Sequence, residues 1–181
     1  AKKCDFIVFP TISYGISYEH SPLFNASITE KAFEELILAL GNSLYFTNGI
    51  KSIIFLNGHH GNVDSLNTLT YNDECHPRSA YKHYSYWHFM KHEFDHAGFV
   101  ETSIMLAISD KVKMKKAKKG FTTKGLSEKE IQRINKLSTQ IGGFPQVAKN
   151  GVWGDPTGAT KKDGQKFLTE IVRNLAKECQ S

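Results

Sequence analysis

The chain has 181 residues, 40% of them hydrophobic and 23% charged, with a formal net charge of +5. That length fits one domain with a sizeable core, and no apolar run approaches the ~20 residues needed to span a bilayer. Nothing at the start has the form of a signal peptide, and Cys4, Cys75 and Cys179 stand far apart in no metal-ligand spacing, so reduced thiols in a cytoplasm are expected.

Asp5-Phe-Ile-Val-Phe9, closed by Pro10, reads as a buried strand. A hydroxyl-rich loop follows, with Glu19 and His20 adjacent. Ser27-Ile-Thr-Glu30 has capping-box spacing, and Phe33, Leu36, Ile37, Leu40 and Leu44 then fall on one helical face. Asn48-Gly49 suits a left-handed helix stop. Ile53 to Leu56 is four apolar residues in a row, the pattern of a strand in a parallel sheet. Residues 5–56 are therefore expected to form a β-loop-α-β unit with a right-handed crossover.

The second strand ends at Asn57-Gly58 and delivers His59, His60 and Asn62 into the loop that follows. In open α/β sheets ligands bind at such carboxyl ends of strands. Imidazole is a common metal ligand, and Gly58 and Gly61 would let the backbone approach an ion closely.

Residues 62–73 predict a short helix punctuated by Pro77, and Ala80 to Trp87 a third, aromatic-rich strand. Residues 98–109 read as helical. Lys111 to Lys124 holds seven lysines and no acid. With no arginine and one aromatic, it reads as a solvated connection rather than a nucleic-acid surface. Ser127-Glu-Lys-Glu130 is a second capping box, opening a helix to about Ile141 that Gly142-Gly143 ends. Residues 152–160 are turn-rich, and the last helix runs from about Thr160 to Cys179.

Glu19 with His20, His59 and His60 with Asn62, and His96 with Glu101 thus form three polar clusters at strand ends or a helix start. Nitrogen and oxygen donors drawn from several such positions are the makings of a hydrolytic metal site. His59, His96 and Glu101 are expected to converge within a pocket on the order of 10 Å across.

Four segments together resemble the creatininase family of metal-dependent amidohydrolases. Pro10-Thr-Ile-Ser-Tyr-Gly-Ile-Ser-Tyr-Glu-His20 is similar to the family's P-x-x-x-Y-G-x-S-x-E-H, and Asn57-Gly-His-His-Gly-Asn62 to N-G-H-G-G-N. His96-Ala-Gly-Phe-Val-Glu-Thr-Ser103 is similar to H-A-G-x-x-E-T-S, and Gly151 to Thr160 to the glycine-rich segment before the last helix. The resemblance implies an α/β three-layer sandwich with a mostly parallel sheet, forming a single domain over 1–181. It also implies two divalent metal ions per site (Zn, Mn or Fe) and a homo-oligomer, usually a hexamer.

Carried over by residue, His59 is a metal ligand, and Gly61 stands where creatininase proper has a ligating glutamate. Glu101 substitutes as metal ligand or catalytic carboxylate, and His96 transfers the proton. Thr102 and Ser103 are expected hydrogen-bond donors. Glu19, His20, His60, Asn62 and Trp153 would face the substrate. The family's opening strand, with its E-x-H and later Asp ligands, would lie upstream of Ala1, and a longer polypeptide is expected to supply it. The expected function is hydrolysis of a C–N amide bond in a small polar molecule, cyclic or formylated, with no nucleic-acid or membrane partner. The alternative is a catalytically inactive member with an assembly or ligand-binding role. Tyr84, Tyr86, Trp87 and Phe89 are of the kinds that favour an oligomer interface.

Overall fold

The structure, a computed structural model, describes residues 4–71, 81–93 and 95–180. The expectations placed on Cys75, Pro77 and Ala80, and on the last residues of the 62–73 helix, lie outside the described residues. The chain divides into two compact units, Pro10–Tyr18 with Asn25–His88, and Ala1–Phe9 with Glu19–Phe24 and Phe89–Ser181.

In the first of these units, α1 spans Glu30–Asn42. Its N-cap is Thr29, whose Oγ1 accepts from the Ala32 amide at 3.1 Å. The expected Ser27–Glu30 box does not form, because Ser27 Oγ accepts instead from the Ser17 amide at 2.8 Å. A tertiary bond thus outcompetes the local one, and the cap moves two residues on.

The buried stripe of α1 is Phe33, Ile37 and Gly41, while Leu36 and Leu40 are 38% and 42% exposed. Gly41 is needed for space, since a Cβ there would meet the Tyr81 hydroxyl at 2.5 Å. That hydroxyl donates to Asn42 Oδ1 at 3.0 Å. A π-helical turn, Ser43–Thr47, continues the helix, and Gly49 (φ 69°) ends it in the left-handed region, as expected.

Strands β1 (Ile53–Asn57) and β2 (Tyr81–Ser85) pair in parallel, with Ile53 opposite Tyr81 and Asn57 opposite Ser85. Between them in sequence lies α2, Val63–Tyr71. Ile16, Phe33, Ile37, Leu66 and Leu69 form one core cluster. Each such side chain contributes on the order of 1.5–3 kcal/mol on burial. Leu56 is 57% exposed, so β1 is not buried along its whole length.

In the other unit, Asp5–Phe9 is not a strand. Asp5 has φ 53°, and Phe6, Ile7, Val8 and Phe9 are all exposed. The apolar run has no hydrogen-bonded neighbour among the described strands, and a strand exists only as part of a ladder. The parallel crossover therefore joins β1 to β2 through α2, not residue 5 to β1.

Helix α3 (Phe99–Ile108) packs on α6 (Lys161–Glu178) at a close approach, where a Cβ on Gly164 would run into the Ser103 carbonyl. Helix α4 (Glu128–Ser138) opens with the expected capping box, Ser127 and Glu130 bonding each other's backbone amides. Helix α5 is a single turn, Phe144–Val147, that no periodicity announces. All seven lysines between 111 and 124 are exposed, as a solvated connection requires. The Cys4 thiol donates to the Ala176 carbonyl at 3.7 Å. Among the described residues no helix is long and apolar enough to cross a membrane.

Candidate functional site

The His59 turn grows from the end of β1. Asn57, 4% exposed, donates from Nδ2 to Ser85 Oγ on β2 at 3.2 Å. Its Oδ1 accepts from the His59 amide at 3.0 Å and from Asn62 Nδ2 at 3.3 Å. Asn62 Oδ1 in turn accepts from the Ile16 amide at 2.9 Å. The Ile16 carbonyl lies 2.8 Å from His59 Nε2. A carbonyl only accepts, so Nε2 carries the proton and Nδ1 is the lone-pair nitrogen of the neutral ring.

Gly61 packs against that same carbonyl, leaving no room for a Cβ, whereas Gly58 has open space around it. The close approach expected of these glycines is therefore made by Gly61 alone, and to protein backbone. His60 begins a 3-10 turn, His60–Asn62, and stacks on Trp87 with ring centroids 5.8 Å apart. Burial, aided by the nearby charge of His88, pulls the His83 imidazole below its usual range.

His96 sits in the other unit, on no regular strand. Its backbone N–H and C=O both bond to Trp153, at 3.1 and 2.8 Å, and Trp153 is bridged on its other side to Phe121. The ring is held at both nitrogens. Nδ1 faces the Gly151 carbonyl at 3.2 Å, and Nε2 faces His20 Nε2 at 3.0 Å.

His20 closes the 3-10 turn Tyr18–His20, and its Nδ1 lies 2.8 Å from Glu19 Oε1. Phe144 packs on both imidazoles, at 4.5 Å from His96 and 4.8 Å from His20. Trp153 stacks near Phe144 and meets Phe121 edge-on.

After His96 the chain turns sharply. Ala97 has φ 52°, and its amide donates to Glu101 Oε2 at 2.6 Å. Asp95 serves the start of α3, accepting from the Val100 amide at 2.9 Å and the Glu101 amide at 3.2 Å. Burial pushes the Asp95 carboxyl above its usual range, against the opposing pull of those amides.

Thr102 Oγ1 donates to the Ala97 carbonyl, and the fully buried Ser103 accepts from the Thr160 amide. Thr102 thus spends its proton on the Ala97 carbonyl, whereas Ser103 acts as an acceptor in its bond to Thr160. An open cleft of about 310 Å³ flanks the Ala97 turn, lined by Thr102, Lys113, Lys116, Val152 and Pro156 among others.

Of the residues expected from sequence, the structure joins Glu19, His20 and His96 in one hydrogen-bonded chain, with Trp153 behind them. It joins His59 and Asn62 through Ile16. Sequence reasoning missed Asp95, Phe144 and Gly151 as supports of the His96 turn. Only Asp95 carries a local signal, an acid three residues before the assigned N-cap, Gly98.

This chain is like solved creatininases in fold. One mutant creatininase matches with a TM-score of 0.74 at 18% identity, over 98% of this chain and 76% of that one. The α/β fold expected from sequence is the one found. The chain belongs to the creatininase family, whose model, described as creatinine amidohydrolase, matches residues 1–179. Two curated relatives named mycofactocin precursor peptide peptidase are also similar. The Mycolicibacterium smegmatis protein is 33% identical over 174 residues, 95% of this chain and 66% of its own length. The Mycobacterium ulcerans protein is 31% identical over 172 residues, 92% of this chain. The chain spans 63% of that protein's length.

Proposed function

We propose that the protein is a metal-dependent amidohydrolase that cleaves an amide C–N bond. The observation that carries this reading is the state of His59. Its Nε2 lies 2.8 Å from the Ile16 carbonyl, the kind of backbone bond that orients a metal-ligating imidazole. An imidazole at His59 and a carboxylate at Glu101 are donor types that a divalent ion takes. Solved creatininases of the same fold described as a Zn-Zn type and a Mn form favour zinc or manganese.

When bound, such a metal polarises the substrate carbonyl and lowers the pKa of water. The chain's own part is the rest. His96, held at both ring nitrogens, delivers a proton to the leaving nitrogen as the C–N bond breaks and the water oxygen bonds to carbon. Glu101 holds the Ala97 amide and so sets the His96 turn. His60, Asn62 and Trp153 line the substrate's path, and the 1–181 region acts as one domain.

The first substrate class to test is a peptide, because the relatives at 31% and 33% identity are named for one. Small cyclic or formylated amides form the second class. Self-association into a homo-oligomer is part of the same proposal, supported by exposed apolar side chains such as Phe24 and Ile7. The test is release of amine from a panel of peptides and small amides by the intact polypeptide with zinc or manganese. Turnover that His59→Ala and His96→Ala abolish supports the reading. Absence of turnover across both classes, with metal bound, favours the inactive alternative.

A further inference from the structure

The lysine-rich connection after α3 is pinned to the segment that carries Trp153. Gly120 and Phe121 donate from their amides to the Gly154 and Val152 carbonyls, both at 2.9 Å, and Gly154 donates back to the Phe121 carbonyl at 2.8 Å. Asn150 Nδ2 adds a bond to the Lys119 carbonyl at 3.2 Å. Gly120 is closed against the Val152 carbonyl, with no room for a Cβ. Trp153, in the middle of the same segment, bonds to the His96 backbone. One stretch of chain, 150–154, therefore fixes both the lysine connection and the His96 turn.

The cleft of about 310 Å³ beside the Ala97 turn lies against both. Half-buried Val112, Met114 and Ala117 interleave with the exposed Lys113, Lys116 and Lys118, and all six line it. Among the described residues no acid lines the cleft, and none of these three lysines has an ion-pair partner. Glu101 and Asp155, each next in sequence to a lining residue, bond instead to the Ala97 amide and to Thr157. Three like charges around one small cleft leave an uncompensated positive potential, which concentrates anions there. The described lining holds neither arginine, the residue suited to bidentate phosphate contacts, nor an aromatic ring for stacking a base. Apolar walls with lysine charges among them suit a carboxylate on an aliphatic stem.

We propose that this cleft is the subsite for an acidic side chain, Asp or Glu, of a peptide substrate, with Lys113, Lys116 and Lys118 as specificity-determining residues. What happens to the bound peptide rests on the amidohydrolase reading; the binding does not.

The test is isothermal titration calorimetry of the intact polypeptide at low ionic strength. The probes are the blocked peptides acetyl-Ala-Glu-Ala-Glu-Ala-amide and acetyl-Ala-Gln-Ala-Gln-Ala-amide. The Glu peptide is expected to bind about tenfold more tightly, with the preference fading at about 1 M salt. Lys116→Ala lowers its affinity about two- to fivefold, and the combined Lys113→Ala, Lys116→Ala and Lys118→Ala variant loses the preference. Lys115→Ala, on the same connection but outside the cleft, stays within a factor of about two of wild type. All four lysines are exposed, and circular dichroism should show every variant folded.

Equal binding of the two peptides overturns the proposal, as does a combined variant that keeps the preference. A Lys115→Ala loss equal to that of Lys116→Ala overturns it too, since the charge of the whole connection would then suffice. The Gln peptide with a free C-terminus binding as tightly as the Glu peptide would assign the cleft to a terminal carboxylate instead. A single-stranded oligonucleotide that binds more tightly than the Glu peptide would assign it to nucleic acid. Amine release is measured separately. Acidic preference without turnover removes only the amidohydrolase reading, and turnover without acidic preference removes only the subsite.

Discussion

The two histidine turns are built to opposite designs. The His59 turn ends a paired strand and is tied by neutral amides, Asn57 and Asn62, with Gly61 closed against the Ile16 carbonyl. The His96 turn has no strand beneath it. It rests on a two-bond bridge to Trp153, carries a left-handed Ala97, and is tied by ionisable groups, Glu19, His20 and Glu101. A neutral, fully bonded turn suits a ligand that must not move. A turn tied by titratable groups suits a residue that must gain and lose a proton.

The largest effect expected from this contrast is on rate. His96→Ala should lower hydrolysis by about 10²–10⁴-fold, the usual share of a general acid, with the fold unchanged by circular dichroism. If His96→Ala left the rate within a factor of two, the proton role assigned to the second turn would fail.

Next in size is the support of the first turn. Asn57→Ala removes three hydrogen bonds at a buried position. At about 1 kcal/mol each it should lower stability by about 3 kcal/mol in urea unfolding. A loss under about 1 kcal/mol would mean that the amide network does not hold the turn.

The glycines sharpen the same point. Gly61→Ala forces a Cβ into the Ile16 carbonyl and should cost about 1–3 kcal/mol. Gly58→Ala meets open space and should stay within about 0.5 kcal/mol of wild type. Equal losses at both positions would show that the close approach is not what Gly61 provides.

How much of this was legible in the sequence follows from the range of each interaction. Ile53–Asn57, the Gly49 stop and the Ser127 box depend on neighbours within a few residues, and their patterns are visible in the sequence. The shift of the α1 cap was hidden because the competing partner of Ser27 is Ser17, which no local pattern names. Asp5–Phe9 has strand composition, yet pairing decides strands and composition cannot supply it. The histidines and Glu101 were evident as chemistry. What holds His96 was not, since Gly151, Trp153 and His20 lie 55 to 76 residues away. Thr102 looked available only because its acceptor, the Ala97 carbonyl, is known from the fold alone.

The smallest effect concerns pH. The folded state raises the Asp95 carboxyl above the ordinary value of 3.8, so it holds that proton more tightly than the unfolded chain. The group's contribution therefore declines as pH rises through 3.8 into the raised range. Asp95→Asn lacks this titration, and urea unfolding across that window should show the wild type losing ground to the variant with rising pH. Parallel pH profiles would show that burial does not dominate at the base of the second turn.

The central claim is that His59 is a metal ligand. Metal content of the intact polypeptide, measured by plasma mass spectrometry after dialysis against zinc or manganese, tests it most directly. The account predicts bound divalent metal in the wild type, a clear loss in His59→Ala, and retention in His96→Ala. Wild type and His59→Ala carrying the same metal, or neither carrying any, would contradict it.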